Sequence, residues 1–218
     1  MGRKVAVDQR YHGHPATGLY FVIDGRDIVA CFLFGQFGQS RCARQIRLPV
    51  RLFALYTWAM KIVTARSIDN DSFAPYGQLL DVPEMPGRYD FQAELFNGRT
   101  DAIPNLLLAC VEAKSLPLDI EVMERHPYSS QAFFPLEASR YIVLVCPDGA
   151  DGGPDMARLD AFIVGAGQGI NYNPGTWHHP LTALECAGNF AALVWENGSE
   201  ADTEWYTLAP EQRLRIDN

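Results

Sequence analysis

Apolar residues along this chain come in short runs, broken by clusters of Pro, Gly and Asp. From residue 106 onward the runs are Leu106–Glu112, Leu118–Glu124, Gln131–Leu136, Tyr141–Cys146, Ala161–Val164, Gly169–Asn173, Leu181–Glu185 and Phe190–Glu196. They are rich in β-branched and aromatic side chains, which pack well on a pleated surface, and their length predicts strands. No 3.6-residue period is sustained between them, which argues against alternating strands and helices. PDGADGGPD at 147–155 is the clearest turn-rich loop. Ser67–Leu80 opens with capping residues and predicts a short helix, limited by Pro75 and Gly77. Asp81–Gly98 shows no period and reads as loop. Many short strands and few helices predict a mainly β fold: a sandwich, a jelly roll or a closed barrel.

Composition changes the picture at the N-terminus. The 218 residues carry a formal net charge of −8, which excludes nucleic acid and anionic membrane as partners of the whole chain. Residues 1–59 nevertheless hold eight Lys/Arg against three Asp and no Glu, leaving ten against twenty-three for residues 60–218. The apolar stretch Tyr20–Phe37 is interrupted by Asp24, Arg26 and Asp27, so it predicts neither a membrane span nor a secretory signal. Residues 1–59 are therefore expected to be an extension that carries no site and packs poorly. Two explanations stay open, a leader or a start placed upstream of a working Met60-Lys61-Ile62. His12 and His14 fall in this stretch and are assigned no role. Five cysteines (Cys31, Cys42, Cys110, Cys146, Cys186) without a CxxC pair point to a reducing compartment, each read as a small buried apolar residue.

Chemistry concentrates in two segments that hold three of the five histidines: ERHPYSSQAF at 124–133 and GINYNPGTWHHP at 169–180. Glu124 and His126 stand two apart and so share a strand face. A hairpin would bring Gln131 beside them. Tyr172 and Trp177 could shape the pocket, but such aromatics are more often core than catalytic. His178 and His179, being adjacent, face opposite ways on a strand, so His179 is expected to hold a loop or a supporting hydrogen bond. By the same alternation Arg125 either pairs with a carboxylate or points outward.

The spacing resembles the cupin metal motifs, with Glu124, His126 and Gln131 in the first and Pro174-Gly175-Thr176-Trp177-His178 matching the second. In the first motif Glu124 stands for a ligand histidine and Gln131 for a glutamate. Longer blocks, ERHPYSSQAFFPL at 124–136, PDMARLDAFI at 154–163 and QGINYNPGTWHHPL at 168–181, resemble the ureidoglycolate lyase family, and SFAPYGQLLD at 72–81 resembles its opening. The likeness spans about residues 60–218. Arg99-Thr100-Asp101 after Asn97-Gly98, and Trp195-Glu196-Asn197, depart from the family's usual pattern.

What the resemblance implies is a cupin-like double-stranded β-helix, a jelly-roll barrel with a few short helices. It implies a cytoplasmic homodimer that cleaves (S)-ureidoglycolate to glyoxylate and urea in allantoin and purine breakdown. A divalent metal, nickel by resemblance, would be held by Glu124, His126, Gln131 and His178. Catalysis is expected from His126, His178 and Glu124, with His178 or Glu124 as the base, and substrate contacts from Arg125, Gln131, Asn171, Tyr172, Trp177 and His179. The alternatives are another metal-dependent cupin enzyme, or a cupin without catalysis that binds a small acid.

Overall fold

The computed structural model describes the backbone of residues 17–24, 27–34 and 41–49, and all of residues 60–218. It divides into two units, Met1–Ala59 and Met60–Asn218. In the first, β1 (Thr17–Asp24), β2 (Asp27–Phe34) and β3 (Arg41–Pro49) form an antiparallel sheet in the order β1-β2-β3. The side chains of this unit, His12, His14, Cys31 and Cys42 among them, lie outside the described residues, as does the question of how well the extension packs.

The second unit begins with β4 (Lys61–Thr64), β5 (Arg66–Ser67), α1 (Asn70–Phe73) and β6 (Gly77–Leu80). It continues through β7 (Ile103–Val111), β8 (Ala113–Lys114), β9 (Leu118–Ile120), β10 (Val122–Arg125), β11 (Gln131–Glu137) and β12 (Arg140–Cys146). It closes with β13 (Asp160–Gly165), β14 (Gly169–Tyr172), β15 (Trp177–His178), β16 (Thr182–Leu184), β17 (Gly188–Glu196), β18 (Glu204–Thr207) and β19 (Leu214–Asp217). One large sheet runs β18-β10-β15-β12-β13-β5, with β16 and β8 attached beside β12. A five-stranded sheet runs β6-β14-β11-β17-β7. The fold is mainly β, as the sequence pattern predicts, and the two sheets face each other as a jelly roll whose barrel is not closed.

At β12 the large sheet is buried on both faces. Tyr141, Val143 and Val145 of β12 point into a core shared with Phe133, Ile170, Tyr172 and Phe190 of the five-stranded sheet. Ile142, Leu144 and Cys146 point the other way, onto Leu214 and Ile216 of β19 and Ile120 of β9. This explains why RYIVLVC reads as a continuous apolar run: a strand covered on both sides has no polar face to alternate with.

The short helix expected within 67–80 is present as a single turn, Asn70–Phe73. Asp69 caps it, accepting from the Ser72 amide at 2.9 Å, and the chain then turns into β6. Pro75 and Gly77 end the helix, and burial of Leu79 and Leu80 makes β6 a strand. The hairpin that would have brought Gln131 beside Glu124 and His126 does not form: β10 lies in the large sheet and β11 in the opposing one. Among the described cysteines only Cys146 is buried, which pushes its thiol up to about 12; Cys110 and Cys186 are exposed, against the expectation of buried thiols throughout.

Candidate active site

The two chemical segments meet at one end of the core between the sheets. Strand β15 lies antiparallel to β10 with Glu124 directly opposite His178. Directly opposed residues share a face, so the carboxylate and the imidazole stand side by side, Glu124 Oε1 at 3.5 Å from His178 Nε2. His126, just past the end of β10, brings its ring to 5.6 Å from that of His178, nearly parallel at 26°. One ligand atom from each of Glu124, His126 and His178 lies within 4.8 Å of the others. Tyr172 arrives from the opposing sheet and stacks on His178, centroids 4.2 Å apart at 14°.

A glycine ties the segments together. Gly175 takes φ +75°, a conformation that costs an L side chain energy, and this aims its N–H at the His126 carbonyl 2.9 Å away. The Pro-Gly turn thus fastens the loop before His178 onto the loop after Glu124.

Both site imidazoles have their tautomers set by backbone carbonyls, which can only accept. His178 Nδ1–H donates to the Thr176 carbonyl at 2.8 Å. His126 Nδ1–H donates to the Asp202 carbonyl at 2.9 Å, with Thr203 Oγ1 at 3.3 Å. In a neutral ring the proton on Nδ1 leaves Nε2 as a bare lone pair. Both Nε2 atoms are buried and have no hydrogen-bond partner. Burial, then the neighbouring His178, hold the His126 pKa below its usual value, so its ring stays neutral. Two imidazole Nε2 atoms and a carboxyl group that face one another without another polar partner form a donor set that a cation would complete. The carbonyl-anchored Nδ1–H is the support that metal-binding histidines normally have. A divalent first-row metal fits this donor set.

Gln131 reaches the same space by another route. It is paired with Tyr172 across β11 and β14, hence on the same face, and its buried Oε1 has no partner. Burial, Tyr141 and Glu124, in that order, hold the Tyr172 phenol well above its usual pKa, so it remains protonated. His179 is buried and donates from Nδ1 to the Pro180 carbonyl at 2.8 Å. Burial lowers its pKa to about 4, so this ring is neutral too.

Three residues expected to contact substrate turn their side chains to other partners than the Glu124, His126 and His178 cluster. Arg125 occupies the opposite face of β10, bonded to Glu204 at 2.8 Å and Asp148 at 2.9 Å, with its guanidinium 4.4 Å over the Trp177 ring. Trp177 packs in the core beneath the large sheet, edge-on to Tyr206. Asn171 points away from Tyr172 and donates to Gln78 Oε1 at 2.7 Å and the Glu94 carbonyl at 3.1 Å. Sequence reading missed Asp202 and Thr176, because each acts through its backbone carbonyl and side-chain identity carries no signal for that.

A family model for ureidoglycolate lyase matches residues 60–215. The chain belongs to the ureidoglycolate lyase family. A putative ureidoglycolate lyase of Agrobacterium fabrum is 39% identical over 150 residues, covering 68% of this chain and 92% of the relative. A ureidoglycolate lyase of Pseudomonas syringae pv. tomato is 32% identical over 170 residues, covering 72% and 96%. The stretches 99–101 and 195–197 touch each other here: Arg99 donates to Asn197 Oδ1 at 3.2 Å, and Asn197 to Asp101 at 2.9 Å. They form one contact, next to the loop that supports His126.

Proposed function

We propose that this chain cleaves (S)-ureidoglycolate to glyoxylate and urea, a step of allantoin and purine breakdown. The observation that carries it is the convergence of Glu124, His126 and His178, with both imidazole Nε2 atoms buried and unpartnered, in a chain of this family.

Ureidoglycolate is a carbinolamide, its central carbon bearing carboxylate, hydroxyl and ureido nitrogen. Cleavage moves one proton from oxygen to nitrogen. The O–H pair becomes the second bond of the aldehyde, and the C–N pair leaves with urea, so no water is consumed. Glu124, the most exposed member of the cluster, takes the hydroxyl proton and returns it to the departing nitrogen. A group in this role contributes about 10²–10⁴ in rate. His126, His178 and Glu124, with Gln131 beside them, would hold a divalent ion, which would supply a lowered hydroxyl pKa; nickel is the ion the resemblance implies. The neutral Tyr172 ring covers one face of His178 and keeps water from it.

Purified protein given ureidoglycolate is expected to release glyoxylate and urea in equal amounts, without ammonia, and to leave allantoate untouched. Prior chelation should suppress the rate, and added metal should restore it. Ammonia release, or no glyoxylate from metal-loaded protein, rejects the reading.

The protein works as a cytoplasmic homodimer in this proposal. None of the described helices is long and apolar enough to cross a membrane. Support for the dimer comes from β7, the edge of the five-stranded sheet. Its sequence IPNLLLACV holds no charge, and Ile103, Leu106 and Leu108 are more than two-thirds exposed. A long, apolar, uncharged edge is the kind that pairs with a second copy about a two-fold axis. The double variant Leu106→Glu/Leu108→Glu should halve the sedimenting mass; an unchanged mass assigns the interface elsewhere.

A further inference from the structure

Arg99 stands outside the metal-ligand cluster, yet it holds the support of His126. The His126 Nδ1–H rests on the Asp202 carbonyl, at the end of the 3₁₀ turn Glu200–Asp202. That turn has little else to fix it: it buries no residue, and no side chain caps its start. What anchors it is the Asp202 carboxylate. It accepts from the amides of Asn197 at 3.1 Å and Gly198 at 2.7 Å and pairs with the Arg99 guanidinium. This pair is mostly shielded, the side chains being 13% and 10% exposed. Screening is therefore weak, and the planar fork matters more than the charge alone.

The guanidinium also donates to Asn197 Oδ1 at 3.2 Å and to the Trp195 carbonyl at 3.5 Å, and lies 5.3 Å from the centre of the Tyr128 ring. The Arg99 segment is itself bound to the His126 loop, the neighbouring Gly98 N–H donating to the Tyr128 carbonyl at 2.7 Å. One side chain thus joins the end of β17, the 197–202 turn and the loop that carries His126.

We propose that Arg99 is a positioning residue for the reaction. By holding the Asp202 carboxylate it sets where the Asp202 carbonyl stands, and so fixes the tautomer and aim of His126. The proposal rests on His126 being a site residue, but its direct readout is the ring and not the turnover.

The test uses the full chain with Arg99→Met, Arg99→Lys and Asp202→Asn. Arg215→Met serves as control, since it removes a bidentate pair with Asp119 that is exposed and remote from the cluster. The His126 Nδ1–H resonance is followed by ¹H–¹⁵N NMR and assigned by its absence in His126→Gln. Wild type and Arg215→Met should show it as a protected signal. Arg99→Met and Asp202→Asn should lose it to solvent exchange, with kcat about 10- to 100-fold lower, the usual effect of removing a support behind a metal ligand, and KM changed by less than about threefold. Arg99→Lys should fall between, because it keeps the charge and loses the fork. If Arg99→Met does not fold, Arg99→Lys and Asp202→Asn carry the test. A wild-type His126 signal in folded Arg99→Met or Asp202→Asn overturns the proposal, whatever the rate does. Should the lyase assay fail while the NMR pattern holds, the proposed substrate falls and the positioning stands.

Discussion

Glu124→Gln is expected to abolish turnover while leaving the metal-free fold as stable as wild type, or more so. The change keeps the shape of the side chain and replaces an acceptor by a donor. In the native site the Glu124 carboxylate stands 3.5 Å from His178 Nε2, the nitrogen that carries the lone pair of the neutral ring when Nδ1–H donates to the Thr176 carbonyl. Without a cation or a shared proton these two acceptors repel. An amide N–H at that position hydrogen-bonds Nε2 and relieves the repulsion. The relief is on the order of 1 kcal/mol, the typical net worth of a new hydrogen bond. The rate should fall by about 10²–10⁴, since the amide neither takes up a proton nor completes the donor set. His126→Gln and His178→Gln should lose turnover similarly and bind metal more weakly. Alanine at His178 also opens a cavity against Tyr172, and at His126 one against the His178 ring, so the glutamines are the cleaner pair. Thermal denaturation after chelation, metal content and glyoxylate release check the set. Near-normal turnover in any folded member removes the assigned roles. A metal-free Glu124→Gln that melts well below wild type would mean that Glu124 holds the fold rather than the reaction.

Opposed trends in stability and activity mark a site kept for function, and here they explain what could be read from the sequence. The strands of the inner core were legible because each is long enough to show its β-branched and aromatic content. Gln131–Glu137 and Arg140–Cys146 are examples. The two-residue strand at Trp177–His178 was not, since two residues show no period, although it places His178 opposite Glu124. Strand alternation put Glu124 and His126 together and turned Arg125 away from them. It gave no hint that Gln131 would arrive from the other sheet, because the short link between Arg125 and Gln131 does not reveal which sheet the chain enters next. Trp177 was read as a pocket or a core aromatic and lies in the core, where Arg125 covers its face. The contacts that aim the two histidines run through the carbonyls of Thr176 and Asp202, and backbone atoms leave no mark on residue choice. The glycine at 175 is the exception: a turn that needs positive φ selects the residue, and so the motif is visible in the sequence.

Gly77→Ala should cost the fold about 3 kcal/mol, the upper end for forcing one extra group into a packed interior. Its φ is not positive, so the reason lies in proximity rather than backbone conformation. A Cβ at Gly77 would stand 1.9 Å from the Asn171 carbonyl oxygen and 2.9 Å from its carbon, with the Phe73 ring at 3.1 Å. The first two are backbone atoms of the neighbouring strand, and no rotamer moves them. Only separation of β6 from β14 relieves the overlap. That separation breaks the pairing of Gly77 with Tyr172, the residue stacked on His178. It also pulls on the Tyr76 carbonyl, which accepts from the Asn173 amide at 2.9 Å and from Thr176 Oγ1 at 3.0 Å. The same turn carries the Thr176 carbonyl that sets the His178 tautomer and the Gly175 N–H that grips the His126 loop. The strain therefore reaches the site, and kcat should fall in the molecules that remain folded. For a unit of this size about 3 kcal/mol corresponds to a drop in Tm of roughly 6–12 °C. Gly165→Ala is the matched comparison: nothing lies within 4 Å of the Cβ it would add, so its effect should stay within about 0.5 kcal/mol. Equal melting temperatures for the two variants would show that β6 and β14 do not approach as closely as the packing of Gly77 on Asn171 requires.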